Sequence, residues 1–387
     1  MRDIFDIAVV GAGPAGAMAA LNACSVPGVS VCLIERKNEA GNPVRCGEGI
    51  GRKGLTSYVE PRPEWIKNVS KRSMMVSPSG IQVQIANVEE SYILDREKMD
   101  SDLVKMASRA GAHYLPGTPV TSIFKSDTTT YTITTPKQTL FAKIVILADG
   151  IESKLARCFG WNTTLDLKDV ETCAFTRVVS PLIDRDTCIF YTGSRVSPGG
   201  YAWIFPRGNG EANVGLGLSG ASSSAGKARE LLDKFIAAEF PGARTYNYHC
   251  GGVPAAKWLC PLTKEGVMLV GDAARQVNAL SGGGISYSLF AGKTAGQVAA
   301  KTIKNDSFNY HALTEYENIW KKKFGKQQNR SYALKEFLAK NGNDQFLDRV
   351  ARSLSKENPE KINYLRVFLK TFGGNPLLLY KAFQLFK

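Results

Sequence analysis

The 387-residue chain has no run of 18 consecutive apolar residues, so no membrane-spanning helix is expected. Its three histidines, His113, His249 and His311, are dispersed and read as structural residues, so no metal site is expected. The eight cysteines form no CxxC pair, which argues against a zinc ribbon or an iron–sulfur site and leaves mostly free thiols as the expectation. A GxSxG elbow is missing, and with it the usual signature of a serine hydrolase. Internal repeats and low-complexity tracts are also missing, and 44% hydrophobic with 22% charged residues is globular composition. The opening MRDIFDIAVVGAGPAG lacks the cationic, apolar and small-residue order of a signal peptide, so a cytoplasmic protein is expected. No nucleic-acid-binding module accompanies the net charge of +14, and no nucleic-acid partner is expected. That charge suits an anionic membrane face, or simply solubility.

What is present begins with a strand, turn, helix and second strand. IFDIAVV at 4–10 is apolar as a buried parallel strand is. Gly11-Ala12-Gly13-Pro14-Ala15-Gly16 follows, then an alanine-rich helical stretch, then VSVCLIE at 29–35. In this GxGxxG setting Gly11 permits a tight turn, Gly13 lets backbone approach a pyrophosphate, and Gly16 lets helix pack on strand. Glu35 closes the second strand, where a carboxylate accepts hydrogen bonds from ribose hydroxyls. Two later turns, Ala148-Asp149-Gly150 and Gly271-Asp272-Ala273-Ala274, each end an apolar strand. With Pro14 after the second glycine, they resemble the second and third signatures of hydroxybenzoate-hydroxylase-like flavoproteins and point to FAD.

The remaining pattern is mixed. Residues 37–54 read as a loop. Residues 72–94 read as antiparallel strands, and 94–112 as a helix with Met99, Leu103, Met106 and Ala107 on one face and Gly111 at its C-terminal cap. Strands are expected at 120–124, 129–134 and 140–148, a second sheet between 170 and 220, a helix at 227–240, a strand and turn at 266–274 with a helix after it, and mostly helix from 308. The fold class is α/β (α+β): a discontinuous Rossmann-like FAD-binding domain (1–70, 94–165 and 261–305), an inserted antiparallel-sheet substrate domain (71–93 and 166–260) and a C-terminal helical region (306–387).

Three segments narrow the reading: Pro-Val-Arg-Cys-Gly-Glu-Gly at 43–49, Leu94-Asp95-Arg96, and Tyr-Ala-Trp-Ile-Phe-Pro at 201–206. Together they resemble the geranylgeranyl reductase family, in its branch acting on archaeal-type digeranylgeranylglycerophospholipids, over residues 1 to about 300. The resemblance implies an FAD enzyme saturating isoprenoid double bonds of membrane lipids. It implies that Ala15 and Glu35 serve the pyrophosphate and adenosine half of FAD, with Val120 at adenine; Arg36 and Arg45 are further cofactor-binding candidates. Cys46, Gly47 and Gly49 would lie against the isoalloxazine, Arg96 would contact the cofactor, and Asp272, Gly284 and Ile285 would hold its other side. The chain departs from the family at Arg275, after GDAA, and at Ala279, where a proline is usual.

Unactivated alkenes have no neighbouring carbonyl to absorb negative charge, so a hydride must be matched by a proton. Cys46 is the first candidate for that proton, being mostly protonated at neutral pH, with Glu48 to re-protonate it or to order a water; a packing role for Cys46 stays open. Tyr201, Trp203 and Phe205 fall on one face of a strand, which is either a wall for the lipid chain or an ordinary core face. Val214, Leu216 and Leu218 read as core. Residues 301–387 carry 17 Lys or Arg against 8 Asp or Glu, and RVFLKTFGGNPLLLYKAFQLFK at 366–387 suits either peripheral docking on an anionic membrane or a cap over the lipid pocket. A ferredoxin or NAD(P)H is the expected electron donor. A flavin monooxygenase or halogenase on the same fold is the alternative function, and a non-catalytic lipid-binding flavoprotein a more distant one.

Overall fold

The computed structural model describes residues 4–85, 89–305 and 309–357. Its first sheet is centred on Ile4–Val10, which pairs in parallel with Val31–Ile34 on one side and Thr139–Leu147 on the other. His113–Leu115 extends the first side and Val267–Leu269 the second, both in parallel. An antiparallel hairpin, Ser122–Lys125 with Tyr131–Thr134, leans on the start of Thr139–Leu147. Ile7, Ala8, Val9, Leu33, Ile144 and Val145 are all fully buried, as strands covered on both faces must be.

Two helices cross behind this sheet at backbone distance. Pro14–Cys24 packs on Ile285–Lys304. A Cβ at Gly292 would lie 2.0 Å from the Ala15 carbonyl oxygen, and one at Gly296 2.2 Å from that of Ala19. The alanines of the first helix and the glycines of the second are small because their backbones touch. Arg96–Arg109 also rests on Pro14–Cys24, burying Met99, Leu103 and Ala107. Asp95 caps it by accepting from Lys98 N–H, and Gly111 follows it in the left-handed region, φ 110°.

The second sheet runs Arg244–Thr245, Val170–Val179, Glu211–Ser219, Tyr201–Gly208, Thr187–Thr192, Arg72–Val76, Gln82–Ile85, with His249–Pro254 also on Val170–Val179. All its pairings are antiparallel except Thr187–Thr192 with Arg72–Val76. Alternation divides its residues cleanly. Ala174, Val178, Ala202, Ile204, Val214, Leu216 and Leu218 pack on the helix Lys227–Glu239 as a second core. The opposite face looks into a cavity.

A third, small sheet joins Gly49–Gly51, Ser91–Leu94 and Ile66–Ser70. Residues 37–54 are therefore not all loop: the stretch ends in a strand and the short helix Arg52–Thr56. The partner that makes Gly49–Gly51 a strand lies some forty residues away, and local composition cannot reveal it. The boundary expected at 93/94 also falls inside this sheet. Helices Lys326–Asn341 and Asp344–Leu354 are pinned over the cavity's far end. Asp344 accepts from the Ser194 N–H and hydroxyl, and Asp348 from Ser77 and Ser79. The segment 366–387, expected at a membrane or over the pocket, lies outside the described residues.

Candidate active site

One cavity of about 1630 Å³ runs from the glycine turn to the open face of the second sheet. At its first end the backbone of Gly11, φ 102°, passes so close to Ala148 that a Cβ would lie 2.3 Å from the Ala148 oxygen. Gly13 is the opposite case: nothing lies within 4 Å of where its Cβ would stand. Two helix N-termini meet this space without side-chain caps, that of Pro14–Cys24 at Gly13 and that of Ile285–Lys304 at Gly284. Free N–H groups and two helix dipoles make this end an anion cradle. The Asp149 Oδ1 is buried with no partner, and burial pushes its carboxyl up to about 6. Open glycine space and uncapped N-termini fit the phosphate groups of a dinucleotide flavin, and Asp149 lies just behind, between the lining residues Ala148 and Gly150.

Glu35 does something here that motif reading did not anticipate. Its Oε2 accepts the Ala12 N–H at 2.7 Å and its Oε1 the Lys37 N–H at 3.0 Å. It holds the glycine turn in shape, whatever else it binds.

The loop carrying Cys46, Gly47 and Glu48 is stitched to the second sheet. Glu48 is buried, in the left-handed region at φ 69°. Its Oε1 accepts the Arg96 N–H at 3.2 Å; its Oε2 accepts from Arg207 Nη1 and, at 3.3 Å, from Asn213 Nδ2. Burial raises the Glu48 carboxyl while Arg207 opposes the rise. Asn213 also donates to the Cys46 carbonyl at 3.3 Å and accepts the Trp203 indole N–H at 2.9 Å. Cys46 Sγ meets the N–H of Glu48 at 3.3 Å. The Glu48 carboxyl, the expected proton source for Cys46, is thus also the centre of a clamp that fixes this loop.

The cavity face of the second sheet is a grid. Cys173, Gly217 and Tyr201 stand opposite one another across three strands, and so do Phe175, Gly215 and Trp203. The glycines make room. A Cβ at Gly215 would lie 2.4 Å from Trp203 and 2.5 Å from Phe175. Trp203 stacks on Phe205 with centroids 6.0 Å apart, and Phe190 meets Phe205 edge-on and Tyr201 at a tilt. The Tyr201 hydroxyl donates to the Ser281 carbonyl at 2.6 Å, tying the wall to the loop before Gly284. A Cβ at Gly47 would come within 3.2 Å of Trp203, and one at Gly49 within 3.0 Å of Phe205. The loop thus lies directly on the aromatic wall.

Of the sequence-derived positions, the cavity gathers Gly13, Ala15, Arg45, Cys46, Gly47, Glu48, Gly49 and Arg96. It also gathers Tyr201, Trp203, Phe205, Asp272, Gly284 and Ile285. Gly11, Gly16 and Glu35 build the turn from behind. Arg36 is exposed and 3.4 Å from Glu152, and Val120 packs on the edge of the first core; neither lines the cavity. Arg96 forks onto Asp100 with two bonds of 2.8 Å, leaving three of its five N–H donors for the cavity side. Its charge opposes the burial that pushes Asp272 up to about 6. Arg275, a departure from the family pattern, donates to the carbonyls of Asn162 and Thr164 and serves that loop.

Motif reading missed Arg207, Asn213, Glu171 and Cys173. The last two carried a signal: Glu171, Cys173 and Phe175 alternate with Ala174, Thr176 and Val178, so an acid and a thiol share one face of a strand.

The comparisons agree with this geometry. The profile described as geranylgeranyl reductase catalytic domain matches residues 169–253, and that of pyridine nucleotide-disulphide oxidoreductase residues 5–180. A digeranylgeranylglycerophospholipid reductase of Methanococcoides burtonii is 37% identical over 395 residues, covering 100% of this chain and 97% of the relative. Among solved structures, a geranylgeranyl bacteriochlorophyll reductase-like protein of Thermoplasma acidophilum superposes with TM-score 0.89 at 30% identity, covering all of both chains. A p-nitrophenol 4-monooxygenase of Pseudomonas putida shares the fold at TM-score 0.66 and 18% identity, covering 100% of this chain and 98% of its own. The fold is that of FAD-dependent monooxygenases and halogenases, and it implies a flavin.

Proposed function

The chain belongs to the geranylgeranyl reductase family, and from that premise we propose that it is an FAD-dependent reductase saturating the geranylgeranyl chains of archaeal-type glycerophospholipids. The observation that carries this reading is the single cavity joining an anion cradle to an aromatic, glycine-cleared sheet face. Reduced flavin supplies a hydride, chemistry no side chain of this protein could provide.

The residues divide the remaining work. The uncapped N-termini at Gly13 and Gly284 hold the phosphates, and Asp272 accepts from hydroxyls. Arg96, charged and fixed by Asp100, favours electron-rich atoms of the ring. Tyr201, Trp203, Phe205 and Phe190 give the isoprenoid a dry surface to lie on. Cys46 holds a proton beside the alkene. Burial raises its thiol above the usual range, with the Arg96 charge opposing, so at neutral pH the sulfur keeps its hydrogen. The donor of electrons is a ferredoxin or NAD(P)H; the net charge of +14 suits an acidic ferredoxin. The same charge supports peripheral residence at an anionic membrane. No helix among the described residues is long and apolar enough to cross a membrane.

The test is anaerobic. Protein reconstituted with FAD is photoreduced and mixed with geranylgeranyl phospholipid. Flavin reoxidation without oxygen, together with mass gains of two hydrogens per double bond, is the expected result. Reoxidation that needs oxygen would instead favour the monooxygenase chemistry known on this fold.

A further inference from the structure

The cavity contains a second acid that the reaction has not yet used. Glu171 begins the strand Val170–Val179 and points to the cavity face. Its side chain crosses the neighbouring strand where that strand has no side chain. The position of a Cβ on Gly217 lies 3.9 Å from the Glu171 Cβ, and that of one on Gly200 3.2 Å from its Oε2. Two glycines clear its path, and it arrives beside Tyr201 with Oε2 buried and without a partner. A buried carboxylate oxygen without a donor is unfavourable; a neutral carboxyl is less so.

The groups around Glu171 do little to hold it ionised. On its own strand the next inward residue is Cys173. The positions paired with it on the adjacent strands are Ser219 and Val253, neither charged. Tyr201 faces it from Tyr201–Gly208. Among the described residues the cation that lowers its pKa is Lys335 of helix Lys326–Asn341. Lys335 directs its ammonium elsewhere: to the carbonyls of Lys168 and Ala255, both at 2.6 Å, and to Asp169 at 3.4 Å.

We propose that Glu171 supplies the proton that returns Cys46 to its thiol form after each double bond is reduced. The proposal deepens the reductase reading above and rests on it. When an alkene is saturated, its π pair is consumed as one carbon gains a hydride and the other gains the Cys46 proton. A thiolate remains. The O–H bond of Glu171 then breaks and an S–H bond forms at Cys46, with the electron pair left on the carboxylate. The carboxylate takes its next proton from solvent. Cys173, the next inward residue on the strand of Glu171, lines the same cavity as both groups, and Gly47, beside Cys46, lies against Trp203 in the neighbouring row of that face. The transfer runs downhill, because burial sets the Glu171 carboxyl at about 7 and pushes the Cys46 thiol above its ordinary 9. Glu48, by contrast, is engaged by Arg207, Asn213 and Arg96, whereas the Glu171 Oε2 has no partner.

Glu171 thus acts through Cys46, and kinetics with limited reductant separate that role from simple distortion. Wild type, Glu171→Gln and Glu171→Asp are loaded with FAD and given one hydride equivalent per site, then continuous reductant. In Glu171→Gln the first double bond is expected at the wild-type rate and later ones at least about tenfold slower; Glu171→Asp recovers part of the loss. The wild-type repeat rate falls as pH rises through about 7, and that fall is absent in Glu171→Gln. Infrared spectra of the flavin-free protein supply an independent reading: a carboxyl band present at pH 6, lost by pH 8 and missing in Glu171→Gln. Equal slowing of first and later turnovers overturns the role, as does unchanged repeat turnover or a missing band in wild type. A wild type that saturates no chain while keeping the band defeats the reductase reading, and the role with it; a missing band defeats Glu171 alone.

Discussion

Arg207 and Glu48 are joined by a buried ion pair between the second sheet and the cofactor-side loop, with side chains 2% and 4% exposed. Arg207 also holds Glu211 at 2.9 Å and the Leu94 carbonyl at 3.2 Å. Glu48 accepts a left-handed backbone, φ 69°, which for a non-glycine residue costs of order 1–3 kcal/mol. The clamp is what keeps it there, and it fixes where Cys46 stands.

Arg207→Met leaves Glu48 buried without its cation, and a destabilisation of about 3–5 kcal/mol is expected. Glu48→Gln, which removes the charge and keeps the shape, should cost less. In the double variant the stranded charge disappears, so the two losses should sum to less than their parts. Thermal or urea unfolding of all four proteins measures that coupling. Strict additivity would mean the pair does not act as a unit.

Gly215→Ala tests the grid. The added methyl has no room, 2.4 Å from Trp203 and 2.5 Å from Phe175, so overpacking of roughly 1–3 kcal/mol is expected. The indole must move, which strains its bond to Asn213 and through it the loop at Cys46. Lowered stability should therefore come with weaker flavin binding, read by fluorescence titration. The same substitution at Gly13, where the space is open, should leave stability nearly unchanged and act on flavin affinity alone.

The outline of the fold was legible because its signals are local. Gly11 to Gly16, the acids closing strands at 35, 149 and 272, and the two-residue period of Tyr201, Trp203 and Phe205 each declare a turn or a face within a few neighbours. What was not legible depends on distance along the chain. Nothing near Glu48 announces Arg207, 159 residues later, so the buried clamp on this carboxyl was not legible. Gly49–Gly51 looked like loop because its sheet partner Ser91–Leu94 is far away. The glycines at 215 and 217 matter only once the strand of Trp203 is laid beside them. Glu171 was readable in part: its face was in the alternation, but its missing partner was not.

The acidic groups give the flavin-free protein a characteristic pH profile. Asp149 and Asp272 sit near 6 and Glu171 near 7 in the fold, all above their unfolded values. A carboxyl raised by folding contributes stability that is fully present below its unfolded pKa and lost as pH climbs through the folded one. Stability from these three should therefore decline between about pH 4 and 7. The carboxylates held low, such as Asp6 and Asp95, weaken the fold only toward more acid conditions. A melting temperature lower at pH 8 than at pH 5 is expected, with the difference reduced in Asp149→Asn. A profile flat across that window would contradict the burial assigned to these groups.

Cys46→Ala addresses the proton itself. The variant should fold, because the thiol makes one weak contact, with the Glu48 N–H, and the clamp that shapes the loop uses the Cys46 carbonyl rather than the sulfur. Flavin content and photoreduction should match wild type. Alkene saturation should fall by roughly 10²–10⁴, the range for loss of a positioned acid. Cys46→Ser divides the remaining possibilities. A hydroxyl fills the same space but yields its proton far less readily, so an acid role predicts a serine variant almost as slow as alanine. A packing role predicts that serine restores most of the rate. Single-turnover reduction of geranylgeranyl lipid by the three proteins decides between them: equal rates in all three would remove Cys46 from the chemistry and leave the proton to another group in the cavity.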